Sequence, residues 1–482
     1  MIGQIKRLYK NKIITIRTSP IYKRFVGIAL GEVLLGCMGI ILLQNHPGRV
    51  LSHIVLLIGL FMTLIVIGIE CIQNGVLMIK KIRSYNEQKA YSIRNEEKRK
   101  RRIKKRRQGQ TKIRVGFYCD GGQFWSTFSD LYDLLVEDPR FETVVIATPE
   151  MHQNKIYHYN AIEFLDSRKI PYIKAWENNR WLDINKLDLH YVFYNRHYLS
   201  RQPRKVSFKR VRKHSKICYI PYATCPQNGE VQDTLCRFDE LRGFDYLFSE
   251  NELMTQIYES YKQKFPNAGT TIATVGSPKF VYALANTTKG STHEKKYVQS
   301  VLYTPRWCFS EGTSSFLELK DFFFDMAKNN KNIEYIFRPH PLMKQTLDET
   351  FGEEFWQEFL GEFDKYENAE VDLKTDYMDS FSRASVLVSD ISTMMFEFSV
   401  TEKPVIYLYK ADKLNEFGRE AAKGYYYCYS AEDVDETLKN IREGNDPCKE
   451  LRRKISQELY CNGNASVVEK IRSILLEDFE ER

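Results

Sequence analysis

The sequence predicts an α/β protein with two Rossmann-like domains of mostly parallel sheet, preceded by a two-helix transmembrane hairpin. Three observations predict it. From Lys112 onward, short apolar runs of strand length alternate with segments of helical period, the pattern of a parallel sheet covered by helices. The segment 287–296 is polar and aperiodic, and it divides that alternation into two series. Before residue 80 stand two long apolar runs separated by a short polar turn.

The hairpin comes first in the chain. Residues 25–43 carry one charge, Glu32, and residues 54–69 form a second run that continues past Glu70 and Gln73 to about Ile79. A spanning helix needs about 20 apolar residues, so spans are placed at about 25–43 and 54–75. The first run is longer than the roughly 7–15 residues of a signal-peptide core, and no small-x-small cleavage site follows it. Seven Lys and Arg precede the first span, and Lys80, Lys81, Arg83 and the basic run 98–107 follow the second. The connecting loop holds only Arg49, so both termini are expected in the cytoplasm.

Charge divides the same way. Residues 1–112 hold 23 Lys and Arg against 5 Asp and Glu, whereas 113–482 hold 48 against 57. The globular part is therefore acidic, no nucleic-acid partner is expected, and 81–111 reads as a basic juxtamembrane linker. Cations near anionic lipid contribute about 1 kcal/mol each, which makes anionic membrane lipid the expected partner of 98–107. The ten cysteines are scattered without CxxC or metal-type spacing, so reduced thiols are expected, with no metal and no cofactor.

The first Rossmann-like domain is placed at 112–288, with strands at 113–119, 143–147, 172–175, 191–194, 217–221 and 246–248 and a helix at 125–136. The second is placed at 289–482, with strands at 301–304, 333–337, 386–388 and 405–409 and helices at 315–328 and 433–442. Asp433-Val434-Asp435 reads as a helix start. Two such halves put a cleft between them at the carboxyl ends of the strands.

Four segments carry chemistry. In 335–341 a buried strand runs into Arg338, Pro339, His340 and Pro341. The prolines end the strand and stiffen the turn, presenting a guanidinium fork suited to phosphate and an imidazole that titrates near neutrality. In 386–398 an apolar strand leads to Ser389 and Asp390, then Ser392 and Thr393, then a helical pattern containing Glu397. Hydroxyls there cap a helix start, and the same N–H groups can hold phosphate. In 301–307 a strand ends in Thr304, Pro305, Arg306 and Trp307, and in 274–280 a turn carries Gly276, Ser277, Pro278 and Lys279.

The ordered set resembles the CDP-glycerol glycerophosphotransferase family of teichoic-acid type polymer synthesis. A trailing Gly463-Asn464-Ala465-Ser466 is similar to the family's C-terminal signature. The likeness covers roughly 113–475. It implies a glycosyltransferase-B type fold with a CDP-alcohol donor bound mainly by the second domain. By that resemblance His340 contacts the donor phosphates or assists the leaving group, and Arg338, Ser389, Ser392 and Thr393 hold the pyrophosphate. Asp390, Thr304 and Lys279 belong to the same donor set, and Glu397 helps bind the nucleotide. Well-known members carry a His-Gly pair in the first domain that supplies the base; here that region reads Cys218-Tyr219-Ile220-Pro221-Tyr222-Ala223. His197 and Asp120, both at strand ends, are the replacement candidates for the base.

The expectation is then a bacterial, multi-pass membrane enzyme with cytoplasmic catalytic domains. It moves a polyol phosphate, glycerol phosphate first, from a CDP-linked donor to a lipid-linked or polymer acceptor and releases CMP. Two alternatives stay open: a glycosyltransferase using a nucleotide sugar, and a catalytically inactive scaffold of a polymer-synthesis complex.

Overall fold

In a computed structural model the described residues are 49–152, 155–288, 299–374, 376–460 and 466–481. The chain forms two compact units, Met1–Lys98 and Arg99–Arg482.

The expected first span, about 25–43, lies outside the described residues. The second falls in a helix, α1, that runs unbroken over Arg49–Arg107, so most of the expected linker 81–111 is helical. Among the described residues no helix is long and apolar enough to cross a membrane, and the expected hairpin finds no support there. Along α1, Leu57, Ile58, Phe61, Leu64, Met78 and Ile79 are exposed.

The basic run 98–107 is two-sided because of helical period. Arg99, Ile103 and Arg107 are buried at a spacing of four, whereas Lys100, Arg101, Arg102, Lys104 and Lys105 are exposed. Arg99 pairs with Asp245 at 2.5 Å, and Arg106 donates to Asn185 O at 2.8 Å and Leu189 O at 3.2 Å. Arg107 meets Asp478 at 2.6 Å and donates to the Tyr191 hydroxyl at 2.9 Å. Part of the cluster expected to lie on lipid is thus turned into the second unit's own fold.

The second unit contains two parallel sheets. The first has seven strands: β1 (Ile113–Cys119), β2 (Phe141–Ala147), β3 (Tyr172–Lys174), β4 (Tyr191–Tyr194), β5 (Lys216–Tyr219), β6 (Tyr246–Ser249) and β7 (Thr271–Thr274). Their order is β7-β6-β5-β4-β1-β2-β3. The second has six: β8 (Ser300–Thr304), β9 (Glu334–Phe337), β10 (Ala369–Val371), β11 (Val386–Ser389), β12 (Val405–Leu408) and β13 (Tyr426–Cys428), in the order β10-β9-β8-β11-β12-β13.

Period-two alternation sorts the strand residues between cores. Val192, Tyr194, Ile217 and Tyr219 join Leu302, Leu387 and Tyr407 in one cluster that takes residues from both sheets. Tyr191, Phe193 and Cys218 face a second cluster, and Val301, Tyr303, Val386 and Val388 a third. The helix after β1 starts later than expected, because Gly122–Thr127 is a 3-10 turn and α2 runs from Ser129 to Glu137. It is followed by α3 (Asn160–Ser167), α4 (Pro278–Thr288) and α5 (Thr393–Ser399). The expected Asp433 start is the third residue of a helix that begins at Ala431 and is capped by Ser430, whose side chain and Asp433 form a reciprocal capping box. The closing helix α6 (Val467–Glu480) buries Val467, Ile471, Leu475 and Phe479 in the first sheet's core. Chain assigned by sequence to the second domain therefore returns to the first sheet. Most of the expected boundary segment and the trailing 463–465 lie outside the described residues.

Candidate active site

β8 pairs in register with both neighbours, Tyr303 with Phe337 and Thr304 with Ser389, so the carboxyl ends of β8, β9 and β11 stand side by side. In an open parallel sheet that edge is where ligands bind. Three turns leave it, and side chains and backbone lace them together. Thr304 Oγ1 donates to Ser389 Oγ at 2.7 Å, and Ser389 Oγ lies 3.1 Å from Ser392 Oγ. Thr304 and Ser389 are buried, so these hydroxyls join two strand ends, while Ser392 and Thr393 at the start of α5 stay half-buried.

Asp390 is fully buried. Its Oδ2 accepts the Arg306 N–H at 2.8 Å and the Ser315 N–H at 3.0 Å, and Oδ1 has no hydrogen-bond partner among the described residues. Desolvation outweighs the two N–H bonds and pushes its pKa up to about 6. It therefore fixes the turn after β8 rather than offering a surface anion.

His340 follows β9 and stacks on Trp307 of the β8 turn, with ring centroids 5.6 Å apart and planes 25° from parallel. The Leu342 N–H donates to Nδ1 at 3.1 Å, which leaves the proton of the neutral ring on Nε2. Desolvation against its neighbours and the Arg306 cation push the imidazole below its ordinary pKa. The residue as a whole is open to solvent, and the ring is neutral at pH 7.

A second group centres on Tyr377. Gly276 adopts φ 106°, and a Cβ there would come within 2.6 Å of Val467, so only glycine fits this turn. The turn sets Pro278 at the first position of α4 and Lys279 beside it. Lys279 Nζ donates to Glu397 Oε1 at 2.8 Å and to Tyr222 O at 3.1 Å. The Tyr377 hydroxyl donates to the other Glu397 oxygen, and its ring lies 5.5 Å from Lys279 Nζ and 5.8 Å from Arg338 Cζ. Arg338 itself donates to Asp372 Oδ2 at 2.5 Å and Lys374 O at 2.7 Å. Three residues expected to hold the donor are thus already paired within the protein.

The expected bases lie elsewhere. His197 is fully buried, with Nδ1 3.2 Å from the Tyr219 hydroxyl and Nε2 3.1 Å from Thr234 O. Desolvation holds its pKa down at about 4. Both nitrogens are engaged and no surface is open to an acceptor, so as placed it is a structural hydrogen-bonder. Asp120 is buried against Arg196 at 2.6 Å, with Arg196 also 3.0 Å from Glu150 and its guanidinium 4.5 Å over the Phe124 ring. Desolvation raises its pKa, opposed by Arg196. Among the described residues no cluster of metal-type ligands occurs.

Sequence reasoning passed over Tyr377, Asp372 and Arg196, whose only signal is a polar residue beside a strand end or motif. It also passed over Glu250, just after β6, which is buried and pushed up to about 7 by desolvation.

Two parallel sheets with motif-bearing turns at adjacent strand ends make a glycosyltransferase-B-like fold. Residues 226–464, just under half of the chain, match the family model described as CDP-Glycerol:Poly(glycerophosphate) glycerophosphotransferase. The chain is a glycerophosphotransferase-like transferase. Among solved structures it is similar to a putative UDP-N-acetylglucosamine 2-epimerase from Listeria monocytogenes, 14% identical, with TM-score 0.53 over 77% of this chain and 98% of that one. The UDP-GlcNAc 2-epimerase from Neisseria meningitidis bound to UDP-GlcNAc is 11% identical, with TM-score 0.51 over 76% and 100%. At these identities the likeness shows the fold alone. The wall teichoic acid polymerase TagF is 15% identical, with TM-score 0.49 over 77% of this chain and 90% of that one. No curated protein sequence matches the chain.

Proposed function

We propose that this transferase moves a polyol phosphate, glycerol phosphate first, from a CDP-linked donor to a hydroxyl of a cell-surface polymer or lipid-linked acceptor. The supporting observation is the lacing of three adjacent strand ends, His340 on Trp307 and Arg306 on Asp390, inside the segment that matches the family. The acceptor oxygen forms a bond to the phosphorus that carries the polyol, the bond from that phosphorus to the bridging oxygen breaks, and CMP leaves. The hydroxyl proton passes to a base or to solvent. Positioning and charge stabilisation carry most of such a reaction. His340 offers an Nε2–H donor to the departing phosphate, and Ser392 and Thr393 offer half-buried hydroxyls to the pyrophosphate. Arg338, Lys279 and Glu397 act by holding Tyr377 and the turns around it.

The enzyme works at the cytoplasmic face of a bacterial membrane, held there by its N-terminal region. The exposed apolar side chains of α1 and the outward cations of 98–107 support this, since both suit contact with an anionic bilayer. Release of CMP from CDP-glycerol, dependent on a membrane lipid extract and lost in His340→Ala, tests the reaction. Flotation of the full chain with phosphatidylglycerol vesicles tests the location. Failure to float at low salt would remove the membrane reading and leave the reaction untouched.

A further inference from the structure

A cavity of about 210 Å³ opens beside the turn after β1, and no residue in the site above except Tyr377 belongs to it. It is lined by Ser126 and Trp125 from that turn, Arg168 after α3, Tyr282 on α4, and Asp376 and Tyr377 from the second sheet's side. Close packing forms its wall: a Cβ on Gly122 would lie 2.4 Å from Phe164, so glycine lets α3 approach the turn. At roughly 30 Å³ per water the space equals about seven waters, the size of one sugar or short polyol.

Its chemistry is specific. Ser126 is part of the lining, and its Oγ has no hydrogen-bond partner among the described residues. Beside it, Gln123 accepts from Asn160 at 3.3 Å, so an amide also stands at the wall. Arg168 is the cation of the lining, and Asp376 balances it at 3.2 Å, with Asp133 adding a further carboxylate. A site for phosphate would carry surplus positive charge, whereas here the balance is neutral to negative. Aromatic faces with a few hydroxyl and amide groups suit the alternating C–H and O–H surface of a polyol or sugar. Tyr377 connects the two regions, because it lines the cavity and also touches Glu397, Lys279 and Arg338.

We propose that this cavity binds the acceptor's hydroxyl-bearing end as an uncharged polyol or sugar unit, not as a phosphate. The inference rests on the transferase reading above. Saturation-transfer NMR on the full chain tests it with two probes, methyl β-D-glucoside and sn-glycerol 3-phosphate. The glucoside should give a signal that falls at least fivefold in both Ser126→Met and Arg168→Gln, while CDP-glycerol still raises the unfolding temperature of both. If Ser126→Met fails to fold, Arg168→Gln decides, since that side chain is half-exposed. A glucoside signal that survives the substitutions, no glucoside signal at all, or glycerol phosphate bound in its place would each overturn the assignment. Loss of the donor's thermal effect in the unaltered chain, with the glucoside behaving as expected, would instead count against the transferase reading.

Discussion

Asp390 is a carboxyl whose burial outweighs its two backbone donors, and this has a sign that can be measured. Its pKa rises from 3.8 unfolded to about 6 folded, so the native state holds the proton more tightly. Its stabilising contribution is complete below about pH 4 and is lost as pH rises through 6, by about 3 kcal/mol. Asp390→Asn should keep the turn and flatten the stability profile over that window in urea titrations at several pH values. His197 has the opposite slope: its folded pKa of about 4 lies below the ordinary 6.5, so stability falls as pH drops from 6.5 through 4. His197→Ala should cost about 2–3 kcal/mol through the hydrogen bonds it leaves unmade, with turnover per folded molecule retained. Turnover lost without a stability loss would return His197 to catalysis. His340 is exposed, and its replacement by Ala should shift stability by no more than about 0.5 kcal/mol.

At the scale of elements, two pairings hold distant segments together. Glu397 and Lys279 form a buried ion pair between α5 and α4. Glu397→Gln should cost about 3–5 kcal/mol, because it leaves Lys279 buried without its anion, whereas Lys279→Met with Glu397→Leu should recover most of that. A double-mutant cycle measures both. Asp478 on α6 gathers Arg107, Lys216, Tyr191 and Tyr246, which joins the end of α1 to three strands of the first sheet. These partners hold its pKa down at about 2, so its contribution is present above about pH 4 and is lost as pH falls through 2. A chain starting at residue 111 should therefore unfold at a lower temperature than one starting at 94, which keeps Arg99, Arg106 and Arg107. The sequence shows the basic run plainly, but nothing in it marks 99, 103 and 107 as the inward side. What it does not show is Asp478, hundreds of residues away, so the run reads as a linker.

Over the whole molecule, the central strands were legible because both faces are largely buried and the residues are mostly apolar, as in β1, β4, β8 and β11. The missed β7, β10 and β13 are sheet edges, short and only partly buried, where no such run is needed. The return of α6 to the first sheet is a tertiary contact without a local signature. For the site, the turns at strand ends were legible as motifs. The partners that occupy Arg338, Lys279 and Glu397, and the closure around His197, depend on packing that no spacing encodes.

The most direct test of the central claim is CMP release from CDP-glycerol by the full chain with membrane lipid extract, compared with His340→Ala. The account predicts release that requires the extract and falls at least a hundredfold in the variant, while its unfolding temperature is unchanged. Equal release by both proteins, or none from folded protein of either kind, would contradict it.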